Sequence, residues 1–243
     1  MNNRFSGRFS DAILSENAAG RLAVIPDIKC VSPKEGDLLR GRDPVDAAKF
    51  LVRMGTPVLS VVTEKESFGG GPELLRAVVD ATRTPVLRKD FITDEKALEE
   101  TAESGAAAVL LICAVTDEKT LIRLYESAIK LGLEPLVEVC SADEMKFAVD
   151  MDAGLIGINN RNIKTLELDD GGPSRTVALA PGSHKGALLI SESGIKSRYD
   201  AQLAASAGAN AVLAGTALWR AEDMGAMYQS LRVEWSGEPC ARR

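Results

Sequence analysis

Charged and amide side chains stand at the ends of five short apolar segments, each of strand length. The ten polar residues at these ends are Asp27, Lys29, Lys89, Asp90, Glu138, Asn159, Arg161, Ser191, Glu192 and Ser193. Taken singly, a lysine or glutamate there fits a solvated strand end. Ionised groups that interrupt apolar strands persist only where they are paired or used. Their repetition in five segments therefore favours one shared functional site.

The segments that carry these residues belong to a regular alternation of apolar and amphipathic stretches. From residue 23 the chain reads AVIPDIK, DPVDAAKFLVRMG, VLSVVT, GPELLRAVVDAT and PVLRKDF, and the order continues to DMGAMYQSLRV. The apolar runs predict strands buried on both faces, as in a parallel sheet covered by helices. Eight such strand and helix units within about 250 residues predict an α/β protein with a single (β/α)8 barrel, whose active site lies at the C-terminal ends of the strands.

Glycines punctuate this alternation. Several predicted helices end on glycine, which accepts the left-handed conformation that often follows a helix. These are Gly55, Gly105, Gly132, Gly154 and Gly208. The competing fold, an open doubly wound sheet, normally has a GxGxxG turn after its first strand, and this sequence has none there.

The chain contains no Pro/Gly/Ser-rich linker that would divide it into two domains. We therefore expect three parts. Residues 1–22 form an N-terminal extension with a short helix, FSDAILSENAAG, that covers the bottom or rim of the barrel. Residues 23–233 form the barrel, and the aperiodic residues 234–243 form a mobile tail.

Two late loops predict a phosphate site. Gly194 and Gly215 follow strands seven and eight, and Thr216 begins a short helix. Backbone N–H groups in these two loops bind phosphate in many barrels, although each glycine alone fits ordinary turn chemistry. Lys29 and Ser32 follow strand one, which neighbours strand eight in a closed barrel, so both are expected to face the same anion.

Composition narrows the class of protein. The 243 residues are 45% hydrophobic and carry a formal net charge of −6, without a long basic run, so nucleic-acid binding is not expected. No apolar stretch approaches the roughly 18 residues that span a bilayer, and the polar start is not a secretion signal. Four separated cysteines and one histidine, His184, predict reduced thiols, a cytoplasmic location and no metal site.

The sequence resembles the indole-3-glycerol phosphate synthase family from about Phe9 to Arg220. The segments that carry the resemblance are DIKCVSPKEGDL, VVTEKESFGGG, PVLRKDFI, EPLVEV, IGINNRNIKTLELD, ISESGI and LAGTALWR, in matching order and spacing. VLRKDFI, IGINNRN and SESGI together are highly specific. The resemblance implies conversion of 1-(2-carboxyphenylamino)-1-deoxyribulose 5-phosphate into indole-3-glycerol phosphate, with loss of carbon dioxide and water and without a cofactor.

The resemblance also implies roles for individual residues. Lys89 matches the general acid that protonates the substrate carbonyl, and Glu138 matches the carboxylate base. Lys29 matches a ligand of carboxylate and phosphate. The other implied residues are Asp27, Asn159, Arg161 and Glu192 as polar active-site groups, Ser32, Ser193, Gly194, Gly215 and Thr216 at the phosphate, and Phe68 and Phe91 near the aromatic ring.

Four features depart from the family pattern. Asp27 stands where EIK or EYK would place a glutamate, Lys34 turns the usual SPS into SPK, and Ser67 replaces a common aromatic residue. The segment before the first strand is also shorter than expected. These departures bear on substrate choice, rate and closure of the site more than on the fold.

Other functions remain open from the sequence. One is a paralogue that acts on a related aryl-amino sugar phosphate. Another is a different phosphate-binding barrel enzyme, such as a thiazole-synthase-like protein or a phosphoribosylanthranilate isomerase-like protein, although the latter would carry a Cys/Asp pair on strands one and five. The third is a degenerate barrel that only binds. The expected partner is a small phosphorylated molecule, and the expected assembly is a monomer or weak homo-oligomer.

Overall fold

Eight parallel strands form a closed barrel in the computed structural model, which describes residues 7–161, 171–184 and 186–237. Each strand pairs with the next in the chain, and the eighth pairs with the first. The predicted (β/α)8 barrel is confirmed. The strands are β1 Ala23–Ile28, β2 Leu59–Val62, β3 Val86–Lys89, β4 Ala108–Ile112, β5 Glu134–Val139, β6 Leu155–Asn159, β7 Leu188–Glu192 and β8 Ala211–Ala214.

Helices alternate with these strands and surround them. They are α1 Arg8–Ala18, α2 Pro44–Arg53, α3 Pro72–Thr82, α4 Glu95–Glu103, α5 Glu118–Lys130, α6 Ala142–Asp150, α7 Ser174–Leu179, α8 Arg198–Ser206, α9 Thr216–Arg220 and α10 Met224–Leu231. A 3-10 turn, Ala180–Gly182, follows α7, and a short antiparallel pair, Val31–Ser32 with Gly36–Asp37, lies in the loop after β1.

Local sequence explains where many helices begin and end. Six are capped by an aspartate or serine side chain that accepts a backbone N–H of the first turn: Asp43, Asp94, Asp117, Ser141, Ser197 and Asp223. Gly55, Gly105, Gly132 and Gly208 have positive φ, as predicted. The prediction for Gly154 is wrong, because Asp152 takes the left-handed conformation after α6, with φ of 59°.

Strand side chains alternate between two buried layers. Leu110 packs inside the barrel, while its neighbours Val109 and Leu111 pack outside against helices. All five residues of β4 are buried as a result. Full burial of one such leucine contributes about 1.5–3 kcal/mol, so both layers stabilise the barrel. The same alternation decides which polar residues at the strand ends point inward.

Helix α1 closes the bottom of the barrel. The backbone N–H groups of Phe9 and Ser10 donate to the carboxylate of Glu134, at 2.7 and 3.0 Å, and Glu134 is the first residue of β5. Phe9 and Ile13 are fully buried against the inner layer. A Cβ on Gly7 would lie 2.0 Å from the Glu134 carboxyl carbon, so the contact requires glycine there. The opposite end of the barrel is left for the site.

The segment after α10 is packed against the bottom as well. The backbone N–H of Trp235 donates to Gly20 O, its indole N–H donates to Ala209 O, and the side chain is only 6% exposed. The backbone of Glu234 pairs with that of Arg21 in an isolated antiparallel β-bridge. The expectation of a mobile tail from residue 234 is therefore wrong for Glu234 and Trp235, because the indole fills an apolar gap. Residues 238–243 lie outside the described residues.

Candidate active site

A cavity of about 400 Å³ opens at the C-terminal ends of the strands. Its polar lining residues include Asp27, Lys29, Ser32, Lys34, Glu35, Lys89, Arg161, Ser193, Thr216, Lys196 and Arg220, with Gly194 and Gly215 beside them. Most of the residues predicted at the strand ends and phosphate loops therefore share one cavity. Six of its lining side chains are cationic and two are acidic, on a chain whose formal net charge is −6. The cavity is suited to an anionic ligand.

Strand alternation places the predicted catalytic residues in the last inward layer. Each lies two residues after an inward apolar residue of its own strand: Lys89 after Leu87, Glu138 after Leu136 and Glu192 after Ile190. Asp27 and Asn159 occupy the same inward positions on β1 and β6. In the register of the sheet Asn159 pairs with Glu192, so these two lie side by side.

Glu138 is buried at the end of β5. Its Oε1 accepts a hydrogen bond from Asn159 Nδ2 at 3.1 Å, and its Oε2 has no hydrogen-bond partner among the described residues. Burial raises the pKa of the Glu138 carboxyl, while the positive charge of Lys89 and the Asn159 hydrogen bond act in the opposite direction. A carboxyl with a raised pKa is suited to accept and return a proton near neutral pH.

Glu192 is more deeply buried than Glu138, and fewer interactions offset the cost of burying its charge. Its side chain is fully buried, and neither carboxylate oxygen accepts a hydrogen bond within the described part of the chain. Burial, and next the neighbouring Glu138 charge, raise the pKa of Glu192 well above its ordinary value, although Lys89 lowers it. A Cβ on Gly157 would lie 2.0 Å from Glu192 Oε1, so glycine at 157 makes room for this carboxyl group.

Asp27 is held by its neighbours on three sides. Ser60 Oγ on β2 donates to Asp27 Oδ1 at 2.7 Å, and the indole N–H of Trp219 donates to the Asp27 carbonyl at 2.8 Å. A Cβ on Gly215 would lie 3.2 Å from Asp27 Cβ, so β8 can approach β1 this closely only with a small residue. The side chain thus forms part of the wall between the inward layer and the Gly215 loop.

Lys29 is buried beneath the loop that follows β2. Its Nζ lies 5.3 Å from the centre of the Phe68 ring, within cation–π range. The Glu64 carboxylate holds this loop by accepting the backbone N–H groups of residues 66–68. Phe91 is half-buried and packs on the inner apolar layer. Phe68 and Phe91 therefore lie at the top of the barrel, outside the set of residues that line the cavity.

The two loops predicted to bind phosphate form the other end of the cavity. Ser193 and Gly194 have φ of 63° and 74°, and both line the cavity with Gly215 and Thr216. A Cβ on Gly194 would lie 2.6 Å from Gly171 O, so no side chain fits there. Successive left-handed backbone and the start of α9 present N–H groups that are suited to an anion.

Five of the polar residues predicted at the strand ends are absent from the cavity lining. Glu138, Asn159 and Glu192 point into the barrel next to the cavity, whereas Ser191 and Asp90 point outward and lie outside the site. Ser191 lies on the outer face of β7 and contacts Asn160 and Thr176. Asp90 accepts hydrogen bonds from Arg88 and Thr63 and is absent from the cavity lining. Their positions follow from strand alternation, because each is adjacent in sequence to an inward residue and so points outward.

Several residues that hold the site together were not predicted from the sequence. Arg175 Nη1 donates to the carbonyl groups of Asn159 and Arg161, at 2.6 and 2.8 Å, and so joins α7 to the end of β6. Gly157 and Asn160 were also missed. Strand alternation could have indicated Gly157, because it lies two residues before Asn159 and so faces the barrel interior, as Glu192 does. Nothing local in the sequence indicates the Arg175 contacts.

No cluster of histidine, cysteine or acidic side chains suited to a metal ion occurs in residues 7–161, 171–184 and 186–237. Cys30, Cys113 and Cys140 are free thiols. Burial raises the pKa of Cys113 to about 12 and that of Cys140 to about 11, so neither is a reactive thiolate near neutral pH. Cys240 lies outside the described residues. No helix in the described ranges has the length and apolar character of a membrane span.

Comparison with known proteins places this architecture in a family. The family model for indole-3-glycerol phosphate synthase matches residues 3–231. The indole-3-glycerol phosphate synthase of Pyrococcus abyssi is 43% identical over 200 residues, which cover 82% of this chain and 86% of that protein. The enzyme of the same name from Thermococcus kodakarensis is 44% identical over 205 residues, covering 84% and 89%. The chain belongs to the indole-3-glycerol phosphate synthase family. The resemblance read from the motifs is thus confirmed.

Relatives in other lineages carry the same name. The indole-3-glycerol phosphate synthase of Kineococcus radiotolerans is 44% identical over 200 residues, 82% of this chain and 72% of that protein. Three departures from the pattern of this synthase family can now be located. Asp27 keeps its carboxylate at the cavity wall, and Lys34 adds an exposed cation to the cavity lining. Ser67 contributes its backbone N–H to the Glu64 carboxylate, a contact that any residue but proline can make.

Proposed function

We propose that this member of the synthase family cyclises and decarboxylates 1-(2-carboxyphenylamino)-1-deoxyribulose 5-phosphate to indole-3-glycerol phosphate. The observation that carries the proposal is Lys89, a half-buried lysine that lines the cationic cavity and whose charge acts on two buried carboxyls, Glu138 and Glu192. The reaction needs a proton donor at the ketone, a proton acceptor and a dianion site, and the cavity together with the buried carboxyls next to Lys89 supplies candidates for all three.

The positions of the residues suggest how the steps are divided. Lys89 donates a proton to the ketone oxygen, so that the ring carbon bearing the carboxylate forms a bond to the carbonyl carbon. Carbon dioxide then leaves, and the electron pair of the broken bond restores the aromatic ring. Glu192, whose pKa is raised by burial, donates the proton with which the new hydroxyl group leaves as water, and Glu138 accepts the ring proton whose loss completes the indole.

Recognition of the substrate falls to the rest of the lining. Lys29 is placed to bind the substrate carboxylate or phosphate, Asn159 holds Glu138 and the backbone of Arg161, and Asp27 supports the wall beside them. The phosphate is assigned to Ser32, Ser193, Gly194, Gly215 and Thr216. Phe68, in the loop after β2, and Phe91, after β3, are assigned to the aromatic ring.

A direct assay tests the activity. Purified protein is mixed with the anilino-deoxyribulose phosphate, and indole fluorescence is followed together with release of carbon dioxide. Appearance of both products at equal rates supports the proposal. Binding of the substrate without either product would instead favour a barrel that only binds.

The anion site is tested separately by soaking crystals in phosphate. We expect density between the Gly194 and Gly215 loops within reach of the Thr216 amide. Phosphate bound elsewhere in the cavity, with these loops empty, would contradict the assignment. We also propose that the protein acts in the cytoplasm, without a cofactor, as a monomer or weak homo-oligomer, which sedimentation at several protein concentrations would measure.

A further inference from the structure

Asn160 follows β6 and lies behind the cavity wall, in contact with the turn that ends β7. Its side chain is 4% exposed, and Nδ2 donates to Ser191 Oγ at 3.0 Å, to Glu192 O at 2.9 Å and to Ser193 O at 3.1 Å. Its backbone N–H also donates to Glu192 O, at 2.9 Å. One asparagine therefore contacts three successive residues of the next strand.

The other side of the same amide is fixed by α7. Asn160 Oδ1 accepts the backbone N–H of Thr176 at 2.9 Å and the Thr176 hydroxyl at 3.0 Å. The Thr176 and Ser191 hydroxyls lie 2.7 Å apart, and both residues are fully buried. Because donors and acceptors of the amide are all engaged, the side chain has one orientation, and β6, α7 and the end of β7 are joined through it.

The turn that Asn160 holds has an unfavourable backbone. Ser193 has φ of 63°, a region that a residue with a Cβ rarely adopts, and Gly194 follows with φ of 74°. Such a conformation persists only where its surroundings determine it. The two carbonyl groups that accept from Asn160, those of Glu192 and Ser193, belong to the peptide groups on either side of the Ser193 Cα. The amide therefore fixes both peptide planes of the strained residue.

The orientation of these planes decides where the next donor points. In a trans peptide the carbonyl and the N–H point in opposite directions. A Ser193 carbonyl held on Asn160 consequently turns the Gly194 N–H away from Asn160. Ser193 and Gly194 line the cavity, whereas Asn160 is not among its lining residues.

We propose that Asn160 is a positioning residue that holds the Ser193 and Gly194 backbone in its anion-binding conformation and so sets the affinity of the cavity for phosphate. The inference rests on the phosphate site of the proposed function, but not on the cyclisation chemistry. It acts through the backbone, since Asn160 itself lies behind the wall.

The test measures binding of inorganic phosphate by calorimetry to the unaltered protein, Asn160→Ala and Asn160→Asp. Asn160→Asp keeps the shape of the side chain and the acceptor for Thr176 but replaces the donor that holds Ser193. We expect the dissociation constant for phosphate to rise about tenfold to a hundredfold in both variants, the contribution of roughly one hydrogen bond to a charged group. Loss of this donor should also raise the substrate KM by a larger factor than it lowers kcat.

Asn210→Ala is the matched control. Asn210 is a buried asparagine that precedes β8 and contacts the start of β7, where its Oδ1 accepts the Leu189 N–H at 2.9 Å, and its Nδ2 donates to Asn17 Oδ1 at 3.0 Å. We expect this variant to lose stability in urea unfolding while its phosphate affinity stays unchanged. Equal phosphate affinity in all three variants and the unaltered protein would overturn the proposal and leave Asn160 a packing residue.

Three further outcomes keep the conclusions separate. If Asn160→Ala does not fold, Asn160→Asp alone decides, and an unchanged phosphate affinity in it overturns the inference. Absence of phosphate binding by the unaltered protein overturns it as well. Phosphate binding that depends on Asn160, in a protein that forms no indole product, would support the inference while refuting the proposed synthase activity.

Discussion

Replacement of Lys89 by methionine tests the proposed general acid most directly. Methionine keeps much of the length of the side chain but removes the charge and the proton donor from the cavity. If Lys89 protonates the ketone, the single-turnover rate of ring closure should fall by about 10²- to 10⁴-fold. This range corresponds to about 3–5 kcal/mol of lost transition-state stabilisation, since each factor of ten is worth about 1.4 kcal/mol.

The structure adds a second effect to the same variant. The positive charge of Lys89 lowers the pKa of Glu138 and of Glu192, against the opposing effect of burial. Without that charge both pKa values rise further. Because Glu138 must be ionised to accept a proton, the acid limb of the pH–rate profile should move to higher pH in Lys89→Met.

The assay separates rate from affinity. Enzyme in excess over substrate is mixed rapidly, and indole fluorescence is followed from mildly acidic to mildly basic pH, while phosphate affinity is measured by calorimetry. Lys49→Met is a suitable control, because Lys49 lies on α2 and pairs with Asp46 at the exposed surface. We expect the control to match the unaltered protein in rate and pH profile.

Two results would refute this reasoning. An unchanged single-turnover rate would make Lys89 a rim charge whose stem packs on the barrel, and it would remove the lysine from the mechanism. A slower rate with an unshifted acid limb would instead show that Lys89 has no electrostatic effect on the carboxyls.

Three further variants test the inward layer and the packed tail. Glu192→Gln should be more resistant to urea than the unaltered protein at neutral and basic pH, and the difference should shrink on acidification. The reason is that a raised pKa in the folded state stabilises the protein at low pH, and this stability is lost as the pH rises; a difference that does not depend on pH would contradict the burial of an ionisable Glu192. Gly157→Ala should fold but lose most activity in the fluorescence assay, because its Cβ displaces the Glu192 carboxyl, and full activity would show that Glu192 relaxes freely. Trp235→Ala should lower the free energy of unfolding by about 3 kcal/mol in urea titrations, and a negligible loss would restore the mobile tail.

Much of the barrel follows from local sequence. The period of apolar residues separates strands from helices, and aspartate, serine and glycine set helix ends, because these preferences depend on a residue and its near neighbours. The exception is instructive. Gly154 was expected to be left-handed after α6, but Asp152 turns the chain two residues earlier.

The same local reasoning located the C-terminal ends of the strands but not the direction of each side chain. Lys89 and Asp90 are adjacent, yet Lys89 lines the cavity and Asp90 pairs with Arg88 behind it. Ser191 likewise points outward, toward Asn160 and Thr176, while Glu192 points into the barrel. Strand alternation explains both outcomes once the inward position is known, and that position is fixed by the closed barrel.

The sequence by itself determined the eight-unit alternation, the motifs that reveal the family, and the identities of the candidate acid, base and phosphate loops. Only the tertiary structure decided that Glu138 and Glu192 are both buried, near enough for the Glu138 charge to raise the pKa of Glu192, and that Asn160 holds the Ser193 turn. The physical reason is the distance along the chain over which each interaction acts. Periodicity and capping act over a few residues, whereas desolvation and hydrogen bonds between β6, α7 and β7 depend on segments that meet only when the barrel closes.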